Sequence, residues 1–228
     1  MFKHKSPLAV AIAAESLLTS AAAGADDASL TTQIVDTFYK IYGTHPGFRV
    51  NHAKGVVAEG SFVATPAASA LSRAALFDGS SIPVTVRFSN DGGLPSVPDG
   101  APSNPKGMAI KFHMPGGAEV DVVLLAVKFF LDDLPQRIAK RPVVFHLKAQ
   151  LAAAGDQTRD PSQPWPDNRQ VVDLGVLTLD KPVADSLEAQ KKLAFLPTHL
   201  TDGIELSDDR LLVIRAGAEA LSFARRSR

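Results

Sequence analysis

There is no cysteine among the 228 residues. Disulfides, thiolate zinc sites, iron–sulfur clusters and cysteine nucleophiles are excluded together, although an oxidising compartment is not. Aromatic residues make up only 7%, with one tryptophan and two tyrosines, Tyr39 and Tyr42. Neither sign of charge dominates: 24 basic residues stand against 24 acidic ones, without a long like-charge run. Composition therefore gives no footprint for nucleic acid or for a polybasic membrane contact. No apolar run is long and uninterrupted enough to span a membrane in a mature chain. The phosphate-binding Gly-x-x-x-x-Gly-Lys loop, the His-Glu-x-x-His zinc helix, the Gly-x-Ser-x-Gly elbow and the Gly-x-Gly-x-x-Gly turn are all missing. Each absence removes an enzyme class with a recognisable sequence signature.

What is present suffices for one sizeable core, with 45% hydrophobic residues in a chain of ordinary domain length. Residues 1–25 read as an export signal, with 26–228 as the folded domain. Lys3, His4 and Lys5 form a basic start, Leu8 to Leu18 is largely apolar with Glu15 inside it, and Ala21 to Ala25 supplies small residues before Asp26. An Ala-rich helical extension is the other reading of this segment. Export would place the chain in the periplasm or outside the cell; without it the chain would be cytoplasmic.

Apolar residues at 30, 34, 35, 38, 41 and 42 predict a helix over Leu30–Tyr42, with Ser29 or Thr31 as cap. Strands are expected at Val56–Ala64, Ile82–Ser89, Gly107–His113 and Val120–Phe130, and a short helix at Ala67–Phe77. In the strand from Ile82, residues Ile82, Val84, Val86 and Phe88 lie on one face, and Pro83, Thr85, Arg87 and Ser89 on the other. Leu134–Ala154 reads as mostly helical with a break at Pro142, Arg169–Leu179 as a strand, and Lys181–Lys192 as a helix. Asp208–Arg226 reads as a C-terminal helix capped by Ser207. Strands gather in the first half and helices in the second, which predicts an α+β fold.

Three constellations could carry chemistry. Arg49-Val-Asn-His52-Ala-Lys-Gly is a basic loop entering a strand; alone, it is equally a solvated turn. Arg87 and Ser89 share a strand face. If that face is buried, the arginine needs a partner, and the serine could fix a histidine tautomer; if it is exposed, both are ordinary surface residues. Arg215 and Glu219 stand four apart on the last helix, the spacing of a simple surface ion pair.

The order and spelling of these segments resemble the catalase superfamily, and in the second half the catalase-related haem peroxidases. The resemblance runs through Arg49-Val-Asn-His-Ala-Lys-Gly, Val84-Thr-Val-Arg-Phe-Ser, Pro105-Lys-Gly-Met-Ala-Ile-Lys-Phe and Asp121-Val-Val. It continues through Asp133-Leu-Pro-Gln-Arg-Ile-Ala-Lys, Trp165-Pro-Asp-Asn-Arg, Asp173-Leu-Gly-Val-Leu-Thr-Leu and Arg215 to Arg226, covering nearly everything from about Gln33. It implies a catalase-like antiparallel β-barrel core, incomplete here, with C-terminal helices. It further implies haem (iron protoporphyrin) as cofactor, and a small-molecule peroxide and an electron donor as reaction partners.

His52 would be the distal acid–base and Ser89 the group orienting its ring. Arg49, Arg87 and Arg215 would pair with the haem carboxylates or tune the axial ligand. Iron in catalases is held by tyrosine, in an Arg-x-x-x-Tyr helix motif. Here the spelling is Arg215-Ala-Gly-Ala-Glu219, so Glu219 occupies the axial slot, while Tyr39 and Tyr42 fall in the first helix. Relatives also carry a long stretch between the segments that abut here at Phe130-Leu131, which implies an internal deletion near 130–131. Leu124, Leu125 and Ala126 stand where large catalases have a peroxide-binding asparagine. An incomplete barrel exposes apolar edges that favour a homo-oligomer. The expected function is haem-dependent reduction of hydrogen peroxide or organic peroxides. The alternative is a non-catalytic barrel remnant that binds haem or another apolar ligand.

Overall fold

The computed structural model describes residues 26–100, 105–125, 131–160 and 162–227. Residues 1–25, expected to be an export signal, and the Phe130 side of the expected junction lie outside the described residues, as does Ala126.

Six strands form one antiparallel sheet in the order β4-β3-β2-β1-β6-β5. Its strands are β1 (Gly55–Ala64), β2 (Ser81–Asn90), β3 (Lys106–His113), β4 (Glu119–Leu125), β5 (Val143–Gln150) and β6 (Val171–Pro182). The sheet curls into a half-barrel, and with the helices of the C-terminal part this is the expected α+β architecture. Among the described residues β4 and β5 are its two open edges. No described helix is long and apolar enough to cross a membrane.

The sheet's register explains both its faces. Phe88 lies opposite Met108, Val86 opposite Ile110, and Val84 opposite Phe112. All six are buried in the core. The intervening residues make a second set of rows, Ser89 opposite Gly107 and Arg87 opposite Ala109, with Ala109 opposite Val123 on β4. Small side chains at Gly107 and Ala109 leave a shallow floor on this second face. A β-carbon added at Gly107 would lie 2.8 Å from Ser89 Oγ and 3.2 Å from the His52 ring, so only glycine lets that ring lie against β3.

Two helices cover this floor. Helix α1 (Asp27–Tyr42) packs on α5 (Arg210–Arg226), with Arg225 Nη1 2.7 Å from Asp36 Oδ1 joining them. Their caps differ from those expected. Asp26 accepts from Ser29 N at 2.6 Å, and Asp209 accepts from Leu211 N at 2.8 Å, because in each case the carboxylate just before the first turn reaches its free N–H groups. The expected Ala67–Phe77 helix is the short α2 (Pro66–Leu71) followed by a 3₁₀ turn at Ala75–Phe77.

One expected element is overturned. Leu134–Ala154 is not mostly helical: α3 (Leu134–Lys140) stops before Pro142, and Val143–Gln150 is strand β5. Val-Val-Phe-His-Leu-Lys-Ala-Gln alternates strictly between half-buried and exposed positions. That is a period of two, and Val143, Phe145 and Leu147 pack on the core. The last short helix, α4 (Ser186–Lys191), is capped by Asp185 and lies beside β1.

Candidate functional site

The loop 49–54 between α1 and β1 carries His52, the one described non-glycine residue with a left-handed backbone (φ 54°). Histidine tolerates that region better than most residues, but the conformation still costs about 1–3 kcal/mol, so the loop must be held. Arg87 holds it from β2. Its Nη2 donates to His52 O at 2.7 Å, and its Nε and Nη2 donate to Gln190 Oε1 at 3.1 and 2.8 Å. Arg87 is therefore satisfied by neutral oxygens rather than by the anion that its inward position suggested. Burial first, and the positive charge of Arg49 next, drive its guanidinium well below the ordinary value. Further bonds pin the loop ends, Ala53 N to Gly92 O at 3.0 Å and Asn90 N to Lys54 O at 3.1 Å.

These clamps aim the imidazole. His52 Nδ1 sits 3.1 Å from Asn90 O and 3.2 Å from Ser89 Oγ. A carbonyl oxygen only accepts, so Nδ1 carries the proton and Nε2 presents its lone pair. Nε2 is 3.6 Å from Asp91 Oδ1. Burial holds the ring neutral, lowering it to about 4; Asp91 opposes this, while Arg87 and Arg215 add to it.

This shift has a consequence for stability. The unfolded chain takes a proton on this imidazole near 6.5, and the fold resists until about 4. The unfolded state therefore binds more protons across that window. Stability is expected to fall by on the order of 3 kcal/mol as pH drops from 6.5 to 4. Urea midpoints measured at each pH would show the slope, and His52→Gln should flatten it.

His52, Ser89 and Arg87 line one cavity of about 330 Å³, together with Arg49, Arg215 and Glu219. All six residues singled out from sequence thus converge. Apolar wall comes from Ile34, Val35 and Phe38 of α1, Met108 of β3, and Phe195 and Leu211. Tyr42 also lines it, on the side of Gly92 and Gly93. Burial, and then Asp91, push the Tyr42 phenol up, which is the opposite of what a metal-binding phenolate needs.

The last helix is wired differently from the expected Arg215–Glu219 pair. Glu219 Oε1 is 3.2 Å from Arg49 Nε and 3.3 Å from Arg226 Nη2, and Arg215 stays exposed at the cavity wall. Arg49 also donates to Gln190 O at 3.2 Å and Leu193 O at 2.5 Å. Three buried guanidiniums, Arg49, Arg87 and Arg226, are gathered around this one carboxylate. Burial and the charge of Arg49 lower Arg226 to about 10 against the pull of Glu219, and its Nε is buried without a hydrogen-bond partner.

Four contributors were not singled out in the sequence. Arg226 had a signal: Arg215, Glu219, Ser222 and Arg226 follow each other at helical spacing along one stripe. Asp91 continues the Arg87, Ser89 alternation by one more step. Gln190 had none, because the element that carries it is far away in sequence, and Tyr42, close in sequence at the end of α1, had no spacing that ties it to His52.

Comparisons with known proteins agree with this geometry. A family profile described as Catalase matches residues 32–140. A catalase-related peroxidase of Mycolicibacterium paratuberculosis is 26% identical over 284 aligned positions, covering 80% of this chain and 90% of that protein. One of Synechococcus elongatus is 26% identical over 300 positions, covering 86% and 88%. In both alignments about a hundred positions of the relative have no counterpart here. Among solved structures, a fungal catalase superposes with a TM-score of 0.70 at 16% identity, over 85% of this chain and 62% of its own. A bacterial catalase gives 0.69 at 15%, over 86% and 60%. The chain spans about three fifths of the length of these solved catalases. Profile and relatives point the same way: residues 32–140 are similar to the catalase family, and the chain as a whole is similar to catalase-related peroxidases.

Proposed function

We propose that this chain is a haem-dependent peroxidase of the catalase-related type, reducing hydrogen peroxide or an organic peroxide with electrons from a small donor. The observation that carries the proposal is the neutral His52 imidazole, its Nε2 lone pair facing an apolar-walled cavity and its Nδ1 held by Ser89 and Asn90.

The residues present suit a flat apolar group bearing carboxylates. The walls are mostly aliphatic and aromatic, and two buried guanidiniums, Arg49 and Arg226, share a single carboxylate, leaving Arg226 Nε unpaired. Arg49, Arg226 and Arg215 are the cations that would meet the carboxylates of haem, while Arg87 keeps the His52 loop in place. Glu219 is the oxygen donor that α5 offers for iron, a hard ligand suited to a hard ion. Haem, when bound, would supply the electron transfer that cleaves the O–O bond.

The chain's own work is proton handling and exclusion of water. His52 Nε2 takes the proton from the peroxide and later delivers it to the departing oxygen. Ser89 and Asn90 O keep the proton of Nδ1 in place, so the ring cannot present the wrong nitrogen. The missing hundred positions belong, in this proposal, to an internal deletion near 130–131.

A second reading has one observation in its favour. Glu219 Oε1 is already held by Arg49 and Arg226, which suits a non-catalytic pocket for haem or another apolar ligand. Titrating the purified chain with haem separates the two. A Soret band with peroxide-dependent dye oxidation is the expected result. A band without turnover favours the binding module, and no band rules out both haem readings.

A further inference from the structure

Asp91 lies at the end of β2, buried, with its backbone N–H on Pro105 O at 3.0 Å. Its Oδ1 is 3.6 Å from His52 Nε2, on the ring edge opposite the one that Ser89 and Asn90 hold. Nδ1 already carries a proton for the Asn90 carbonyl, so a carboxylate here faces a lone pair. That contact turns attractive only when Nε2 gains a proton.

We propose that Asp91 is a positioning residue for His52: its carboxylate stabilises the imidazolium that forms when Nε2 accepts a proton from the peroxide. The inference rests on the acid–base role proposed for His52 and goes beyond it. The proton leaves the peroxide oxygen, which keeps the bonding electron pair. It stays on Nε2 beside Asp91 and then passes to the departing oxygen, so the ring ends as it began.

The surroundings make such a countercharge necessary. Arg87 approaches from β2, Arg215 from α5 and the Tyr42 phenol from α1, while β3 presents only the uncharged Gly107, Met108 and Ala109. Two of these groups are cations that oppose a positive ring, and the site is poorly solvated. A carboxylate at Nε2 offsets both effects, whereas the Ser89 contact at Nδ1 orients the ring without adding charge.

The test uses the full chain with ¹⁵N-labelled histidine, native and Asp91→Asn, followed by NMR from pH 8 to the acid edge of the folded range. In the native chain the neutral ring should be the Nδ1–H tautomer. At the acid edge the variant should show about tenfold less imidazolium, and the acid limb of its peroxidase profile should move to lower pH. Equal imidazolium in both proteins overturns the proposal. So does an Nε2–H tautomer in the native chain, which is decisive even if the variant does not fold. A chain that never turns over peroxide defeats the proposed function but leaves the titration result standing.

Discussion

Replacing His52 by alanine is expected to slow peroxide turnover by about 10²–10⁴-fold, the range that a positioned acid–base group contributes. The argument is one of proton inventory. The cavity holds one neutral ring nitrogen with a free lone pair, Nε2 of His52, because Nδ1 is committed to Asn90 O and Ser89 Oγ. Asp91 faces that same Nε2 at 3.6 Å and acts through the ring, and the Tyr42 phenol is pushed up by burial and by Asp91, so the phenol does not replace the imidazole as a base at neutral pH. The variant should keep its fold, since the loop is held by Arg87 on the His52 and Ala53 carbonyls and by Ala53 N on Gly92 O, all backbone contacts. Alanine in a left-handed conformation retains the strain, so a modest loss of unfolding midpoint is expected alongside the kinetic effect. Steady-state dye oxidation with circular dichroism as control checks both. A loss of less than tenfold in a folded variant would remove His52 from the chemistry.

The parts of this molecule legible in sequence share one property: they repeat at a fixed local period. Residues Ile82 to Ser89 alternate strictly, and β2 has both faces expected of it. The α5 stripe could be read the same way as far as Glu219. What sequence left hidden depends on partners brought from elsewhere. Glu219 chooses Arg49, 170 residues away, over Arg215 one turn before it, because Arg49 is buried against α5 and needs an anion more than an exposed arginine does. Arg87 finds its acceptors in Gln190 and a loop carbonyl, neither of which has any signature. The Leu134–Ala154 segment shows the opposite failure. The helical composition before Pro142 does not extend past a residue that ends helices, and the alternation of Val143 to Gln150 is the local signal of the strand. The site residues named from family resemblance do meet in one cavity, and the resemblance brought together positions that no local period connects.

Phe62→Ala should be the most damaging single truncation in the core, at about 3–5 kcal/mol. The ring is fully buried in β1, the strand between β2 and β6. It meets Phe112 of β3 edge-on, with centroids 5.2 Å apart and planes at 81°, and lies against Gly175 of β6, where a β-carbon would come within 2.4 Å of it. One side chain thus fills space across β1, β3 and β6, and its neighbours are themselves anchored in backbone pairing and cannot collapse into the void. A closed barrel would enclose such a cluster from every side, but among the described residues this sheet ends at β4 and β5. Its core therefore depends more on the few rings that bridge its middle. Against a total stability of about 5–15 kcal/mol, the loss would consume much of the margin, and the urea midpoint should move sharply. Val63 is the control: it follows Phe62 on the same strand, points to the other face and is 41% exposed, so Val63→Ala should stay within about 0.5 kcal/mol. Equal midpoints for the two variants would mean that the half-barrel is not organised around this ring. A large difference would mean that the cavity on the opposite face rests on a core the open sheet can support alone.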